Sequence, residues 1–455
     1  MSPRPPSPIR RGLAASTVEG SFAQAFISWT SGVFLVKFAT KLGVDDVMLA
    51  VIAAVPVLAA VAQVGTAWIY ERVGDGRRAI TIWTLLAARV LWFLPAALAL
   101  GLFGEGHDVA IFLAVVAVSS VLTTAGAHGW QSWMSDLVPG PVRGRYFGVR
   151  GAVCAIVALA VGYGGGIALD HLEARRSGLG YAVIYAGAAV AGVFAYLAMR
   201  VQTHPPARTE GRHVPFGVLW REIWARKDFR RVFAFFTVWS VGLGVAMPFW
   251  AKYMDVGLGL SSGAIAVQGA LGAVVGIALS RTWGRLIDAV GTRPVLLANA
   301  ICIACIPFLW CAASPTSLWP VWVDCVVVGV FWTGFNLTAL AVPLSLAPAR
   351  GGAVFLGVLA ALSGVSMGVS ALAGGFLSRA MGPGPHAVLG MSLHGYQVMF
   401  LLSGVFRLAA IPLALRLPEP GSQSLVFLVN LVGSAVRQRL NLGWVMLSAP
   451  WRRGK

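Results

Sequence analysis

Residues 284–294 read GRLIDAVGTRP, and residues 67–78 read AWIYERVGDGRR. Each stretch carries an acidic residue, then a glycine three positions later, then an arginine. Asp288 in the later stretch and Glu71 in the earlier one lie 217 positions apart. Both stretches join long apolar runs, so one short polar loop occurs twice in similar surroundings. This spacing indicates that the chain contains a duplicated unit.

A second pair of segments supports the same duplication. Residues 139–148 read PGPVRGRYFG and residues 348–357 read PARGGAVFLG, and their last glycines, Gly148 and Gly357, are 209 positions apart. At the same offset, the two glycines at 165–166 fall on the two glycines at 374–375. Agreement at both ends of one apolar run predicts two copies of a six-helix unit.

The composition excludes a soluble fold. Of the 455 residues, 58% are hydrophobic and only 11% are charged, and the mean hydropathy is +0.77. A soluble domain has about 25% charged residues, so this chain has too few to cover a soluble particle of its size. These values exclude a soluble enzyme, a disordered chain and a secreted disulfide-rich domain. The five cysteines all lie in apolar runs, which indicates neither a disulfide framework nor a zinc site.

Twelve apolar runs are long enough to cross a bilayer as helices, which predicts an all-α membrane protein with two pseudo-symmetric six-helix bundles. The predicted domains are the bundles at 1–200 and 231–417, a linker with an interfacial helix at 201–230, and a tail with another interfacial helix at 418–455. The predicted spans are 18–42, 46–70, 79–102, 109–134, 146–169, 179–200, 231–253, 262–283, 294–313, 317–343, 353–378 and 395–416.

The basic residues predict the orientation of these spans. The net charge is +18, and 27 of the 35 lysines and arginines fall in the termini and in the loops between alternate spans. Loops rich in lysine and arginine stay on the cytoplasmic side of a membrane. The bias therefore places both termini and the central linker in the cytoplasm. It also accounts for the positive charge without a nucleic-acid partner.

The loop at 284–294 resembles the loop signature of the major facilitator superfamily, Gly-x-x-x-Asp-x-x-Gly-x-Arg. Its four positions are filled by Gly284, Asp288, Gly291 and Arg293. The first copy departs from the signature, because alanine stands for its first glycine and Glu71 for its aspartate. The segment at 130–150, WQSWMSDLVPGPVRGRYFGVR, resembles the fourth-to-fifth helix region of a bacterial branch whose substrates are mostly unassigned. The resemblance covers about 18–416.

What the resemblance implies is a transporter and not an enzyme. Two six-helix bundles would surround a cavity lined by helices 1, 4, 7 and 10, and would rock to expose it to either side of a bacterial inner membrane. The expected function is secondary active transport of a small organic solute by a monomer that needs no cofactor or metal. The coupling ion, a proton or a sodium ion, is not identifiable. The alternative is a non-transporting relative that acts as an assembly factor or a sensor.

The resemblance also implies a cytoplasmic gate. Asp288 and Glu71 would each approach the start of a helix in the other half, near 144–145 and 351–352, where the helix dipole favours a carboxylate. These contacts would form only when the cytoplasmic side is closed. The expected gate residues are Glu71, Arg72, Arg77, Arg78, Asp136, Arg143, Arg145, Gly284, Asp288, Gly291, Arg293 and Arg350.

Two polar stripes predict the wall of the cavity. Polar side chains recur every three or four residues from Ser120 to Ser135 in helix 4 and from Ser21 to Ser31 in helix 1, so each set shares one helix face. The alternative is that they hydrogen-bond between helices as packing contacts. Helices 7 and 10 are less polar, which hints at a neutral or amphipathic solute. The expected cavity residues are Gln24, Ser28, Ser31, Ser120, Thr124, His128, Gln131, Trp239, Ser240, Thr333 and Asn336.

A few charged residues fall inside the predicted spans. Arg89 and Arg407 are assigned a structural role, and the sequence identifies no partner for either. Glu19 is expected to face water or to pair with a nearby basic residue. Asp324 is expected to be solvated near the outer end of helix 10.

Overall fold

The computed structural model describes residues 8–62, 65–66, 70, 76–103, 106–138, 140–203, 221, 224–346, 352–382, 384–388, 390–418, 423–428, 430 and 433–434. Within these residues, eleven helices are long and apolar enough to cross a membrane. A shorter apolar helix, Asp46–Val61, takes the place of the second predicted span. The prediction of a helical, multi-pass membrane protein is confirmed.

We number the spans TM1 to TM12 in chain order. They are Pro8–Thr30 with Gly32–Lys41, Asp46–Leu58 with the 3-10 turn Ala59–Val61, Arg77–Val90 with Phe93–Ala99, Asp108–Leu137, Gly140–Arg175, Leu179–Val201, Lys227–Ala246 with Phe249–Lys252 and the π-helical turn Tyr253–Gly257, Ser262–Val290, Thr292–Trp310, Trp319–Leu346, Gly352–Met381 and Gly395–Ala414.

Successive spans run in opposite directions, so the molecule has two distinct ends. The linker end is where TM6 finishes at Val201 and TM7 begins at Lys227. The hairpin end carries an antiparallel pair of strands, β1 (Pro385–Val388) and β2 (Met391–His394), joined through Gly390 at a φ of +78°. The sequence analysis did not predict these strands, because four residues are too few to show the alternation of a strand.

Several helices are longer than the apolar runs that predicted them. TM1 begins at Pro8 and not at 18, and TM5 covers Gly140–Arg175 and not 146–169. A helix satisfies its own backbone hydrogen bonds, so it continues past the hydrocarbon into water, where charged side chains are stable. Apolar length therefore predicts the part of a helix inside the membrane and not where the helix ends.

TM1 and TM7 are interrupted near the hairpin end. In TM1, Ser31 is extended and Gly32 has a φ of +57°, a conformation that glycine adopts without strain. TM7 is interrupted at Pro248, which has no backbone N–H to donate. A lysine follows each interruption, Lys37 in TM1 and Lys252 in TM7.

The two halves of the chain meet along two helix pairs, TM5 with TM8 and TM2 with TM11. Glycines make these contacts at the hairpin end. A Cβ atom on Gly166 of TM5 would lie 2.6 Å from the backbone nitrogen of Gly263 in TM8. A Cβ atom on Gly375 of TM11 would lie 3.0 Å from the carbonyl oxygen of Asp46 in TM2. Small residues at these positions let the helix backbones approach closely, as in other membrane helix pairs.

The same two helix faces are uncovered at the linker end. Gly148 precedes Gly166, and Gly357 precedes Gly375, by 18 positions, which is five turns of α-helix, so each pair shares a face. A Cβ atom on Gly148 or Gly357 would meet no atom of another helix within 4 Å in the described part of the chain. The described halves therefore touch from the hairpin end to Gly364 of TM11, whose Cβ atom would lie 2.5 Å from the carbonyl oxygen of Val57 in TM2, and they separate beyond it. We call the space between the two uncovered faces at the linker end the cleft.

We expect Gly166→Ala to destabilise the protein, because the added methyl group would overlap backbone atoms of TM8 that cannot turn away. Overpacking of this kind costs about 1–3 kcal/mol. The matched control is Gly164→Ala on the same helix, where the new Cβ atom meets nothing within 4 Å of the described residues. That control should gain roughly 0.5–1 kcal/mol from helix propensity. Thermal unfolding in detergent measures both, and equal melting temperatures would contradict the contact.

Candidate functional site between the two bundles

At the hairpin end, Lys37 of TM1 crosses to the other half of the chain. Its Nζ lies 2.9 Å from the carboxylate of Asp255 in TM7 and 3.9 Å from that of Asp170 in TM5. The same ammonium group donates a hydrogen bond of 2.8 Å to Ser262 at the start of TM8. The backbone N–H of Ser262 in turn donates to Asp170 at 3.0 Å. We call Lys37, Asp170, Asp255 and Ser262 the first latch.

A second group of charged residues crosses the same end in the opposite direction. Asp46, at the start of TM2, lies 2.5 Å from Nζ of Lys252 in TM7. It also accepts hydrogen bonds from Ser378 in TM11 at 2.7 Å and from the hydroxyl of Tyr396 in TM12 at 3.2 Å. We call Asp46, Lys252, Ser378 and Tyr396 the second latch. An exposed ion pair of 3.0 Å between Asp45 and Arg379 lies beside it.

The two latches are copies of one arrangement. Lys37 and Lys252 lie 215 positions apart, and the helix-start residues that they reach, Ser262 and Asp46, lie 216 apart. In each latch a lysine of the first span in one half contacts the start of the second span in the other half. The acid and the hydroxyl have exchanged places, since Asp170 faces Ser262 whereas Ser378 faces Asp46. The internal duplication therefore extends to the contacts that close this end.

His394 stabilises the start of TM12 beside the second latch. Its ring nitrogen Nδ1 accepts a hydrogen bond of 3.3 Å from the backbone N–H of Tyr396. Burial lowers the pKa of His394 from its ordinary value of 6.5, because the charged imidazolium loses its hydration. A neutral ring at pH 7 is what an accepting nitrogen requires.

At the linker end, the described gate residues make contacts within one half of the chain. Asp288 is exposed, and Gly284 has open space beside it. Gly291 ends TM8 with a φ of +95°, and Arg293 donates a hydrogen bond to the carbonyl oxygen of Leu415. Five predicted gate residues lie outside the described residues, either entirely or in their side chains: Glu71, Arg72, Arg143, Arg145 and Arg350.

Three predicted gate residues instead hold the first bundle together. The guanidinium group of Arg77 in TM3 lies 2.8 Å from Asp136 in TM4, and both side chains are mostly buried. Arg78 donates a hydrogen bond of 2.5 Å to the carbonyl oxygen of Arg200 at the end of TM6. These contacts join neighbouring helices of one bundle.

Most of the predicted wall residues of TM1 and TM4 keep some exposure. Gln24 and Ser28 are half-buried and hydrogen-bonded to each other at 3.3 Å, whereas Ser31 is exposed. In TM4, three half-buried residues and one exposed residue continue the stripe: Ser120, Thr124 and His128, then Gln131. The ring of His128 lies parallel to that of Tyr70, with 6.1 Å between the ring centres.

The predicted wall residues of the second half differ in their surroundings. Trp239 is only 1% exposed and stacks on Phe335 of TM10 at 4.7 Å, and Ser240 beside it is also buried. Thr333 is half-buried and donates to the carbonyl oxygen of Gly329, and Asn336 is exposed. In this structure Trp239 therefore packs between TM7 and TM10.

A buried ion pair that the sequence analysis missed lies inside the first bundle. Glu19 of TM1 is 3% exposed, and its carboxylate lies 3.3 Å from Arg89 of TM3 and 3.1 Å from Arg150 of TM5. The sequence identified no partner for Arg89, and the structure pairs it with Glu19. Of the two positions expected for Glu19, the structure shows pairing with basic residues, in a buried site. The partners are 70 and 131 positions from Glu19, so no local spacing pointed to them.

In the second bundle, the buried residues Asp324 and Arg407 are hydrogen-bonded to uncharged groups. Asp324 of TM10 is 5% exposed, which contradicts the solvated position expected for it, and it accepts a hydrogen bond of 2.8 Å from Gln268 of TM8. Arg407 of TM12 is 4% exposed and donates at 3.4 Å to the carbonyl oxygen of Ile303. Asp324 and Arg407 also attract each other at longer range.

Solved structures of other membrane proteins resemble this architecture. Among solved structures, the chain resembles a D-xylose-proton symporter (12% identity, TM-score 0.65, covering 92% of this chain and 100% of that one). It also resembles a mutant form of the nucleoside transporter NupG (11% identity, TM-score 0.64, 90% and 100% covered). A third similar structure is a bacterial homologue of the human lysosomal transporter Spinster in an inward-facing, unoccupied conformation (13% identity, TM-score 0.64, 90% and 97% covered).

At these identities the three structures show a shared fold. No curated protein matches the chain in sequence. The family description "Major Facilitator Superfamily" matches residues 20–371, which is most of the chain and includes both halves of the duplication. The chain is therefore a member of the major facilitator superfamily of membrane transporters.

Proposed function

We propose that this protein is a secondary active transporter that moves a small organic solute by alternating access. The observation that carries the proposal is the asymmetry of two helix faces, which are packed at the hairpin end and uncovered at the linker end. Rocking of the bundles would cover Gly148 and Gly357 and part the contacts of Gly166 and Gly375. The cleft would then close at the linker end and open at the hairpin end.

The two latches would hold the present state. Lys37 and Lys252 each join one bundle to the other, so both ion pairs must separate when the hairpin end opens. The side chains of these pairs are 11–20% exposed, so water can reach them and replace the lost contacts. Partly hydrated ion pairs are weak compared with buried ones, which suits contacts that have to break in every cycle.

The linker-end gate would act in the opposite state. When that end closes, Asp288 would approach the start of TM5, and the equivalent Glu71 would approach the start of TM11. A carboxylate at a helix N-terminus is favoured by roughly 0.3–1 kcal/mol, or up to about 2 kcal/mol when partly buried. The exposure of Asp288 in the present structure supports a contact that forms only on closure.

Polar side chains of TM1 and TM4 would line the solute path. Gln24, Ser28 and His128 are half-buried on helices that border the cleft, and they offer both donors and acceptors of hydrogen bonds. We infer a bacterial inner membrane and a cytoplasmic linker end, because most of the basic residues lie at that end. In this orientation the structure would be open to the cytoplasm.

Solute flux in proteoliposomes tests the proposed function. The purified protein is reconstituted, and counterflow is measured with D-xylose, a nucleoside, a short peptide and a set of small organic acids. A saturable flux of any one of them, absent from protein-free liposomes, supports the proposal. The alternative function, an assembly factor or a sensor on the same fold, predicts no flux of any solute.

We expect single cysteines to report the orientation, in a background without the native cysteines. Thr316→Cys lies in an exposed turn at the hairpin end, and Thr209→Cys lies in the central linker. An impermeant thiol reagent added to intact cells should label Thr316→Cys readily and Thr209→Cys only after lysis. The reverse pattern would overturn the inferred orientation.

One substitution in the second latch and one in the linker-end gate should shift the balance between the two proposed conformations in opposite directions. The reporter is Gly357→Cys, on the TM11 face that is uncovered at the linker end, labelled from that side in inverted vesicles. Asp46→Asn weakens the second latch, so labelling should slow. Asp288→Asn weakens the opposite closed state, so labelling should become faster. A change of about 1.4 kcal/mol in the balance alters the population ratio tenfold. Unchanged labelling in both variants would contradict the proposed roles of the second latch and the linker-end gate.

A further inference from the structure

The polar interior of the first bundle has more positive than negative charge. Glu19 is the acid between Arg89 and Arg150, so this group carries two guanidinium groups and one carboxylate. Arginine stays charged even when buried. The net charge of the three side chains is therefore positive, inside a low-dielectric region where an uncompensated charge is unfavourable.

The guanidinium group of Arg150 is held in a fixed position. Its Nε donates to the carbonyl oxygen of Ser16 at 3.2 Å, and one Nη donates to Glu19 at 3.1 Å. The indole ring of Trp130 lies 4.4 Å from its central carbon. A Cβ atom on Gly20 would lie 2.6–2.8 Å from the same guanidinium group, so this glycine makes the space that Arg150 occupies.

Hydrogen-bond donors exceed acceptors around this group. The second Nη of Arg89 and the indole N–H of Trp130 are buried and have no acceptor among the described residues. The other Nη of Arg150 makes no hydrogen bond within the same residues, and it is not buried. Buried donors without acceptors are uncommon in folded proteins, and they mark a place where a further acceptor fits.

The site is accessible from the linker half of the protein. The side chain of Arg150 is 18% exposed, whereas that of Glu19 is 4% exposed. Arg150 lies in the linker half of TM5, where a Cβ atom on the neighbouring Gly148 or Gly151 would meet no atom of another helix within 4 Å in the described structure. The exposed part of the guanidinium group can therefore be reached by a small molecule in the linker half of the protein.

We propose that Arg150, supported by Glu19, Trp130 and Gly20, binds the oxyanion group of a small organic anion, and that such an anion is the solute. This inference rests on the proposed transport function and names its substrate class. A second carboxylate or a phosphate would balance the two guanidinium groups and supply the missing acceptors. Arginine is suited to both oxyanions, because its planar N–H groups match their geometry. The solute is then charged, and not neutral as the sparse polarity of TM7 and TM10 indicated.

Matched pairs of anions and neutral analogues test the site in the full-length protein. The probes are benzoate with benzamide, nicotinate with nicotinamide, and phenyl phosphate with phenol. A ligand that binds only the folded state raises the melting temperature. We expect at least one anion to raise it more than its neutral partner does. The carboxylates and the phosphate ester show separately which oxyanion is preferred.

Substitution of Arg150 should remove this selectivity. In Arg150→Gln, the apparent affinity for the anion should fall at least about tenfold, as expected for loss of a charged hydrogen bond. Arg176→Gln removes the same charge from an exposed residue just beyond the opposite end of TM5 and should leave the affinity unchanged. Gly20→Ala keeps the charge but would displace the guanidinium group, so it should weaken binding as well.

A measurement on the unsubstituted site covers the case in which these variants fail to fold. Cys154 lies one helical turn beyond Arg150 and is half-buried, and the other four cysteines can be replaced. A bound anion should slow alkylation of Cys154, whereas the neutral analogue should not. If no anion of the three pairs differs from its partner in either assay, the proposal is rejected.

Flux separates failure of this site from failure of the transporter. Anion binding that depends on Arg150, without flux of any solute, would support the site and contradict transport. Flux of a neutral solute that Arg150→Gln carries at the normal rate would support transport and contradict the site. Flux of an organic acid that is lost in Arg150→Gln and kept in Arg176→Gln would support both.

Discussion

The close contact of helix backbones at the hairpin end determines the rest of the structure. Lipid is as apolar as leucine, so helices in a membrane do not associate by hydrophobic burial and depend on close packing. Gly166 against TM8 and Gly375 against TM2 bring the two halves within backbone distance at the hairpin end, and the contact of TM11 with TM2 continues to Gly364, whose Cβ atom would lie 2.5 Å from the carbonyl oxygen of Val57. This contact brings both latch lysines within reach of their partners. It also sets the direction in which the helices diverge, and thus the end at which the cleft is open.

The ion pairs fall into two groups that the proposed movement of the bundles would affect differently. Glu19 with Arg89, and Arg77 with Asp136, join helices of one bundle, so rocking leaves them intact. Removing one partner of such a buried pair costs about 3–5 kcal/mol, which makes them part of the rigid body. Lys37 and Lys252 join the two bundles and would change partners if the bundles rocked as proposed. Under this proposal, ion pairs inside a bundle preserve its shape, and those between bundles set the conformational balance.

The sequence predicted the spans because apolar length is a local property, and each run can be counted without knowledge of its neighbours. It did not predict the pairing of Glu19 with Arg89, because that depends on how two helices 70 residues apart are rotated against each other. Lys37 and Lys252 lie 215 positions apart, an offset that differs from the 209 and 217 of the repeated loops, so the sequence did not show that they are equivalent. Their partners also differ, because the acid of one latch is replaced by serine in the other. When the residues of a duplicated contact exchange roles, the same residue types do not recur at equivalent positions of the two halves.

The charge of the first bundle connects the proposed substrate to the proposed movement. An empty site leaves an excess guanidinium charge, which is stable where water reaches Arg150 through the open linker end. Closing that end would remove the water and leave the charge uncompensated in a medium of low dielectric constant. A bound anion cancels the charge and supplies an acceptor before the water leaves. Under this proposal the anion interacts differently with the two states, which is what a ligand must do to shift a conformational equilibrium. The empty protein would then favour the state seen here, and the loaded protein would be free to close over its solute.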